Sequence, residues 1–314
     1  MTLVTTPEHF PEDHGPTAVT IGKFDGLHFG HRQLVSRLRL EAQRHGLTPV
    51  VVTFDRHPAA LFDPDRAPAP IVSVEQKLEL IGRQGVDTVL LEFTRELSRM
   101  SPLEFVRDLL VGKLRMRLIV IGRDFRFGHK GSGDVDFLLE HRSTFGYEVV
   151  LVDDELSPNG RRASSTWVRE CLETGDVENA TEVLGRHHTL RGTVVHGAKR
   201  GRELGFPTAN LCPDTLEGFI PADGVYAGWL HVGESDYPAA ISVGNNPTFD
   251  GVPQKQVEAH VIDHEGLDLY GERVQVAFVR RIRGMERFDS LEALIRTMRR
   301  DVEETRSLLQ QPSR

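Results

Sequence analysis

The first half of the chain carries five short apolar runs, at residues 18–21, 50–54, 88–93, 118–121 and 148–152, and none alternates cleanly with polar residues. A strand wetted on one face alternates, whereas a strand covered on both faces reads as a continuous run of Val, Ile and Leu. Helical periodicity fills the gaps. Residues 31–45 place Leu34, Val35, Leu38 and Ala42 at helical spacing and close on Gly46. Residues 102–113 start with Ser101 at an N-cap position and Pro102 in the first turn, where its missing N–H removes no bond. Strand and helix in alternation, with the strands sealed on both sides, predict a doubly wound α/β domain around a parallel sheet.

Two short helices are predicted next, at 165–174 and 176–184. From residue 187 the texture changes to runs at 189–196, 225–232, 239–243, 257–262 and 273–281, separated by turns rich in Gly, Pro and Asn. That is the pattern of an antiparallel β-barrel or sandwich. It divides the chain into domains 1–186 and 187–314, and 314 residues suffice for two cores of ordinary size. A last helix carries Leu291, Leu294, Ile295, Met298, Val302 and Leu309 as one stripe opposite arginines and glutamates, a face expected to pack on the barrel.

Composition mainly excludes. The net charge of −8, from 38 basic and 46 acidic residues, speaks against nucleic acid or a membrane surface as the main partner and leaves room for a local basic pocket. Cys171 and Cys212 stand too far apart for a CxxC redox pair or a four-ligand zinc site, and no disulfide framework is expected. No apolar run is long enough to span a bilayer, and the stretch with Glu8, Glu12 and Asp13 lacks the apolar centre of a signal peptide. A cytosolic setting is expected.

Directly after the first predicted strand stands GKFDGLHFGH, residues 22–31. In an open α/β sheet, ligands bind where strands hand over to helices at their carboxyl ends. Gly22, Gly26 and Gly30 let backbone N–H groups approach an anion, and the helix N-terminus beyond favours negative charge. The stretch matches neither the dinucleotide GxGxxG nor the GxxxxGK[ST] fingerprint. It adds His28 and His31, placed to donate to phosphate oxygens while an α-phosphate gains charge and pyrophosphate leaves. Taken alone, it could equally be a glycine turn with surface histidines or an HxxH metal pair.

This HxGH form resembles the signature of the nucleotidylyltransferase superfamily, shared with class I aminoacyl-tRNA synthetases. The synthetases need a KMSKS loop, and none is present. Ser164-Ser165-Thr166-Trp167-Val168-Arg169 instead resembles the SSTxxR element of the smaller nucleotidylyltransferases, where hydroxyls and a helix N-terminus hold ATP phosphates and the arginine neutralises them. In isolation that run would read as a helix cap. The resemblance implies ATP contacts at Gly22, Phe24, Gly26, His28, His31, Ser164, Ser165, Thr166 and Arg169.

Two further segments follow predicted strands on the same side of the sheet: Thr53-Phe54-Asp55-Arg56-His57-Pro58 and Gly122-Arg123-Asp124-Phe125-Arg126-Phe127-Gly128. Phe54, Phe125 and Phe127 could offer faces to a flat ring system or serve as core aromatics. Together these segments resemble the FMN adenylyltransferase module of the bacterial bifunctional riboflavin kinase/FAD synthetases, which implies flavin contacts at Phe54, His57, Asp124, Phe125 and Phe127. The family usually shows TFxPHP; this chain has Arg56 in place of that proline.

Residues 191–211 read RGTVVHGAKRGRELGFPTANL. Gly197, Gly201 and Gly205, with Lys199, Arg200 and Arg202 among them, suggest a loop around an anion, although such turns are common in barrels. Thr208 and Asn210 stand two apart on an extended segment, so their oxygens can share one face and reach a Mg²⁺ ion that also binds ATP. PTAN alone could be turn chemistry. In combination with residues 221–226, 242–249 and 257–263, this region resembles the riboflavin kinases. The resemblance makes Glu258 the catalytic base, adds ATP contacts at Gly197, Lys199, Gly201, Arg202, Thr208 and Asn210, makes Thr208 and Asn210 metal ligands, and puts Arg287 beside the flavin. A carboxylate that orients a hydroxyl and takes its proton suits attack on a γ-phosphate. The implied whole is a Rossmann-like HxGH nucleotidylyltransferase domain followed by an antiparallel β-barrel riboflavin-kinase domain with a C-terminal helix. It would use ATP, riboflavin, FMN and Mg²⁺, with flavins as substrate and product rather than prosthetic groups.

Overall fold

The computed structural model describes residues 2–153, 156–157, 160–197, 204–244, 255–264 and 266–310. Packing divides the chain into two compact units, Met1–Ser164 and Ser165–Arg314. Each is described by itself.

The first unit is built on six strands: β1 (Val4–Thr5), β2 (Thr17–Ile21), β3 (Thr48–Phe54), β4 (Asp87–Leu91), β5 (Met116–Gly122) and β6 (Glu148–Val152). They lie in the order β1-β4-β3-β2-β5-β6 and every pairing is parallel. The chain steps outward from β2 through β3 to β4, then returns to β5 on the other side, so β2 and β5 flank the switch point. The five sequence-predicted strands are all present. The strands β2, β3 and β5 divide their residues between two cores. Val19, Ile21, Val50, Val52, Ile119 and Ile121 enter one, while Ala18, Val51, Leu118 and Val120 enter the other. Covering both faces is what removed the polar alternation from these runs.

Helices α1 (Phe29–His45), α2 (Val74–Gly82), α3 (Arg95–Arg99), α4 (Pro102–Glu104) and α5 (Val135–Phe145) complete the unit. Val35, Leu38 and Ala42 of α1 are buried, and Gly46 ends it in the left-handed conformation. Ser101 caps α4 as expected, with a reciprocal bond from Glu104. The predicted helix over 102–113 is present, but from Phe105 to Lys113 it winds as a π-helix.

The second unit opens with α6 (Ser165–Thr174) and α7 (Val177–Leu184). The strands β7 (His188–Val195), β8 (Ala209–Leu211), β9 (Gly224–Val232), β10 (Ser235–Gly244), β11 (Gln256–Val261) and β12 (Arg273–Arg283) close into a barrel in the order β10-β11-β8-β7-β12-β9, all antiparallel. Closure decides between the barrel and the sandwich that the sequence left open. Both short helices group with the barrel. Arg280 of β12 bonds Glu178 of α7 at 2.7 Å, and Arg281 donates to the Thr174 carbonyl at 3.0 Å. The division by packing therefore falls ahead of α6, earlier than the change of sequence texture.

The final helix, α8 (Leu291–Gln310), rests on β9, β10 and β12. Its stripe is less buried than its pattern predicts. Leu291 is 53% exposed, and the most enclosed positions are Asp301 and Thr305. Asp301 is enclosed together with its partner: the Arg283 guanidinium grips its carboxylate through Nε at 3.0 Å and Nη2 at 2.8 Å, with both side chains largely out of water. Asp301→Ala strands a buried guanidinium and is expected to lower the stability of this unit by about 3–5 kcal/mol. Replacing the pair together, Arg283→Met with Asp301→Leu, should recover most of the loss; urea unfolding reads both.

Candidate active sites

In the first unit the loop after β2 has unusual backbone. Phe24, Gly26 and Leu27 have φ of 48°, 76° and 42°. Glycine accepts such angles freely, but for two bulky side chains they need strong compensation. The compensation is burial: Phe24 is 0% exposed and Leu27 2%. The turn drops His28 into the cap of α1, where its Nδ1 accepts the His31 backbone N–H at 3.4 Å. The two imidazoles stack with centroids 3.7 Å apart, and the Phe24 ring backs His31 at 5.1 Å.

Burial pushes His28 down to about 4, helped by the charges of Arg32 and Arg162. Burial also drives His31 well below the usual imidazole range, with His28 and Lys23 adding to the effect. Both rings are therefore neutral at pH 7. An acceptor role for His28 Nδ1 puts its proton on Nε2, which leaves Nε2–H as the donor. His31 Nδ1 is buried with no hydrogen-bond partner.

The other predicted residues of this unit divide by environment. Gly22 closes on Val52, its N–H donating to that carbonyl at 3.1 Å. The Phe24 side chain is enclosed in the core, which leaves only its backbone at the loop surface. Phe54 and Phe125 are partly buried against the core, and Phe127 lies within it, stacked on Phe125 at 5.4 Å and packed on Phe105 and Phe137. His57 Nδ1 caps the short turn of Pro58–Leu61, and its Nε2 meets Lys23 Nζ at 3.2 Å. Arg56, standing where the family shows proline, lies beside the Asp55 carboxylate at 2.6 Å. Asp124 accepts from Arg162 Nη2 at 2.7 Å. Sequence reading passed over Arg162 and Lys23, although the former stands two residues ahead of the serine run and the latter sits inside the histidine motif. Ser164 ends the first unit; Ser165, Thr166 and Arg169 belong to α6 in the second.

In the barrel, β11 alternates, with Val257 and Ala259 buried and Glu258 between them on the opposite face. Cross-strand pairing sets Glu258 opposite Asn210 of β8. Thr208 Oγ1 donates to Glu258 Oε2 at 3.1 Å, and Asn210 Nδ2 lies 3.1 Å from both the Thr208 carbonyl and its hydroxyl. A hydroxyl, an amide and a carboxylate distant in sequence thus converge. Gly197 closes over them. A Cβ there would lie 2.4 Å from Asn210 Oδ1, so any larger residue would displace the Asn210 amide. Next to Glu258, His260 Nδ1 bonds the Pro207 carbonyl at 2.8 Å, holding the segment that leads into Thr208. Lys199, Gly201 and Arg202 lie outside the described residues. Arg287 is exposed ahead of α8, and Phe288 beside it lies under the Arg283 guanidinium, 5.7 Å from ring centroid to charge.

The oxygens of Thr208, Asn210 and Glu258 are hard donors, the kind that suit a divalent cation with phosphate ligands. Positioning and charge stabilisation, rather than a covalent intermediate, are what both arrangements offer, and those are the means that phosphoryl- and nucleotidyl-transferring enzymes use. Comparison with known proteins narrows the class. Residues 10–167 match the FAD synthetase family and residues 184–309 the riboflavin kinase family. The chain belongs to the family of bifunctional riboflavin kinase/FMN adenylyltransferases. It is 37% identical over 285 residues to the member from Escherichia coli K12, covering 90% of each chain, and 36% identical over 309 residues to that of Pseudomonas fluorescens, covering 98% of each. A crystal structure from Streptococcus pneumoniae, described as a macrolide-efflux protein, matches with a TM-score of 0.87 at 31% identity, covering 98% of this chain and 99% of that one. Among the described residues, no helix of this chain is long and apolar enough to cross a membrane.

The depressed imidazoles have a thermodynamic signature. Between pH 6.5 and about 4 the unfolded chain takes up a proton at His28 that the folded chain refuses. Stability of the first unit is therefore expected to fall as pH drops through this window, by up to about 1.4 kcal/mol per pH unit from this group. His28→Gln should flatten that part of the stability curve, read by urea unfolding at a series of pH values.

Proposed function

We infer that the barrel unit transfers the γ-phosphate of ATP to the 5′-hydroxyl of riboflavin, giving FMN and ADP. The unit with the parallel sheet then joins FMN to the AMP portion of a second ATP, giving FAD and pyrophosphate. Family membership across nearly the whole chain supports both steps. The observation that carries the kinase assignment is the meeting of Glu258 with Thr208 and Asn210 across neighbouring strands.

Glu258 is the proposed base. Its carboxylate is oriented by the Thr208 hydroxyl, and it accepts the proton of the riboflavin hydroxyl as that oxygen attacks phosphorus. Thr208 and Asn210 would hold Mg²⁺ together with ATP, where the ion would neutralise phosphate charge. Gly197 keeps room for the Asn210 amide, and Lys199, Gly201 and Arg202 are assigned to the phosphates on sequence grounds.

In the first unit the FMN phosphate is its own nucleophile, so the protein needs donors and geometry. Neutral His28 offers Nε2–H to the oxygens of the reacting α-phosphate, and the backbone of the 22–31 loop lines the carboxyl end of β2 beside the switch point. A neutral imidazole donates without taking a full charge into a buried place. His57, Asp124, Phe54 and Phe125 are proposed to hold FMN, and Arg287 the flavin of the kinase reaction. Phe127 contributes through the core beneath Phe125. Assignment of Ser164, Ser165, Thr166 and Arg169 to ATP extends the same proposal on sequence grounds, as does a cytosolic setting without nucleic acid as partner.

Incubation with riboflavin, ATP and Mg²⁺, resolved by chromatography over time, should show FMN first and FAD after it. Glu258→Ala is expected to abolish FMN formation and leave FMN-to-FAD conversion intact. His28→Ala with His31→Ala should do the reverse. Full kinase activity in the first variant, or undiminished FAD synthesis in the second, removes the residue from its role.

A further inference from the structure

Lys77 lies in the first turn of α2, yet it is only 8% exposed. A lysine so far from water is costly unless its ammonium is matched. Its Nζ donates to the carbonyl of Phe54, the last residue of β3. Burial pulls the ammonium below the ordinary lysine value, and the carboxylates of Asp25 and Asp55 work in the opposite direction to keep it charged.

Those two carboxylates belong to the two loops that build the first site. Asp25 lies in the 22–31 loop and accepts the Ile71 N–H at 2.9 Å, just ahead of α2. Asp55 follows β3 and takes the Phe93 N–H at 2.8 Å, with Arg56 on its other oxygen at 2.6 Å. The loops also touch directly. Thr53 Oγ1 donates to the Lys23 carbonyl at 3.1 Å, and Lys23 Nζ meets His57 Nε2 at 3.2 Å. One buried cation thus stands at the junction, and neither proposed chemical step uses it.

We propose that Lys77 is a positioning residue of the FMN-adenylylating site: its buried ammonium, donated to the Phe54 carbonyl, ties the end of β3 to α2, and Asp25 of the loop that carries His28 and His31 is held to the approach of the same helix by the Ile71 N–H. It touches neither substrate. It sets the spacing between the flavin-facing segment and the imidazoles, and small errors in such spacing are costly in rate. The inference rests on the adenylyltransferase reading of this unit.

Lys77→Met keeps the aliphatic stem and removes the charge and the donor; Lys77→Arg keeps a charge that does not titrate in the accessible range. In the full chain, Lys77→Met is expected to lower kcat for FMN-to-FAD conversion about ten- to a hundredfold while riboflavin phosphorylation stays at the wild-type rate. Lys77→Arg should restore much of the lost activity and move the alkaline limb of the FAD-synthesis pH profile upward. Wild-type FAD synthesis by Lys77→Met overturns the proposal, and so does an alkaline limb that Lys77→Arg leaves in place. Should neither variant fold, the wild-type profile decides: a limb below the range of an exposed lysine supports the role, and activity flat to about pH 10 overturns it. A wild-type chain that makes no FAD at all overturns the adenylyltransferase reading itself.

Discussion

The left-handed turn through Phe24, Gly26 and Leu27 is the constraint on which the first site depends. Two bulky residues held at positive φ store strain on the order of 1–3 kcal/mol each, and they persist only because their side chains are wholly enclosed. Burial of Phe24 gives His31 a wall to stand against, and the end of the turn makes His28 the cap of α1. Stacking of the two rings, their neutrality and the direction of the His28 donor all follow from that backbone. The end of β3 and the segment after it lean on the same loop through Thr53, which donates to the Lys23 carbonyl, and through His57, which meets the Lys23 ammonium.

The two units solve a shared chemical problem, the orientation of a nucleoside triphosphate, with different physics. In the parallel sheet the strand ends, a glycine-bearing turn and a helix N-terminus supply fixed donors at a topological switch point. In the barrel, antiparallel register sets Glu258 against Asn210, and the same alternation that buries Val257 and Ala259 turns Glu258 to the opposite face. In the proposed reactions, neutral donors would serve the step in which a phosphate brings its own charge, and a carboxylate the step in which a hydroxyl must lose a proton.

Much of this was legible beforehand where local chemistry and tertiary packing agree. The strands β2, β3 and β5 were visible because each is covered on both faces, and the motifs after the strands were visible because they keep their order along the chain. Elements too short to show a period were not: Val4–Thr5 pairs with β4 over two residues, and Ala209–Leu211 read only as an extended segment. Helix α8 shows the opposite failure. Its apolar stripe was plain, yet the enclosed positions are Asp301 and Thr305, and Asp301 is enclosed with the charge partner that β12 supplies. Of the aromatics the motifs pointed to, the side chains of Phe24 and Phe127 are buried, a placement that local sequence left open.

By itself the sequence determined the two-part architecture, the residue types gathered for phosphate chemistry and the family to which the chain belongs. Such information lies in periodicity, in spacing along one strand or turn, and in the order of motifs. Tertiary structure alone decided which of those residues meet. Glu258 and Thr208 are 50 positions apart and become hydrogen-bond partners only through the register of β11 on β8. The charge state of His28 and His31 was likewise settled by burial, a property no single stretch of sequence carries, because it is made by every element packed around them.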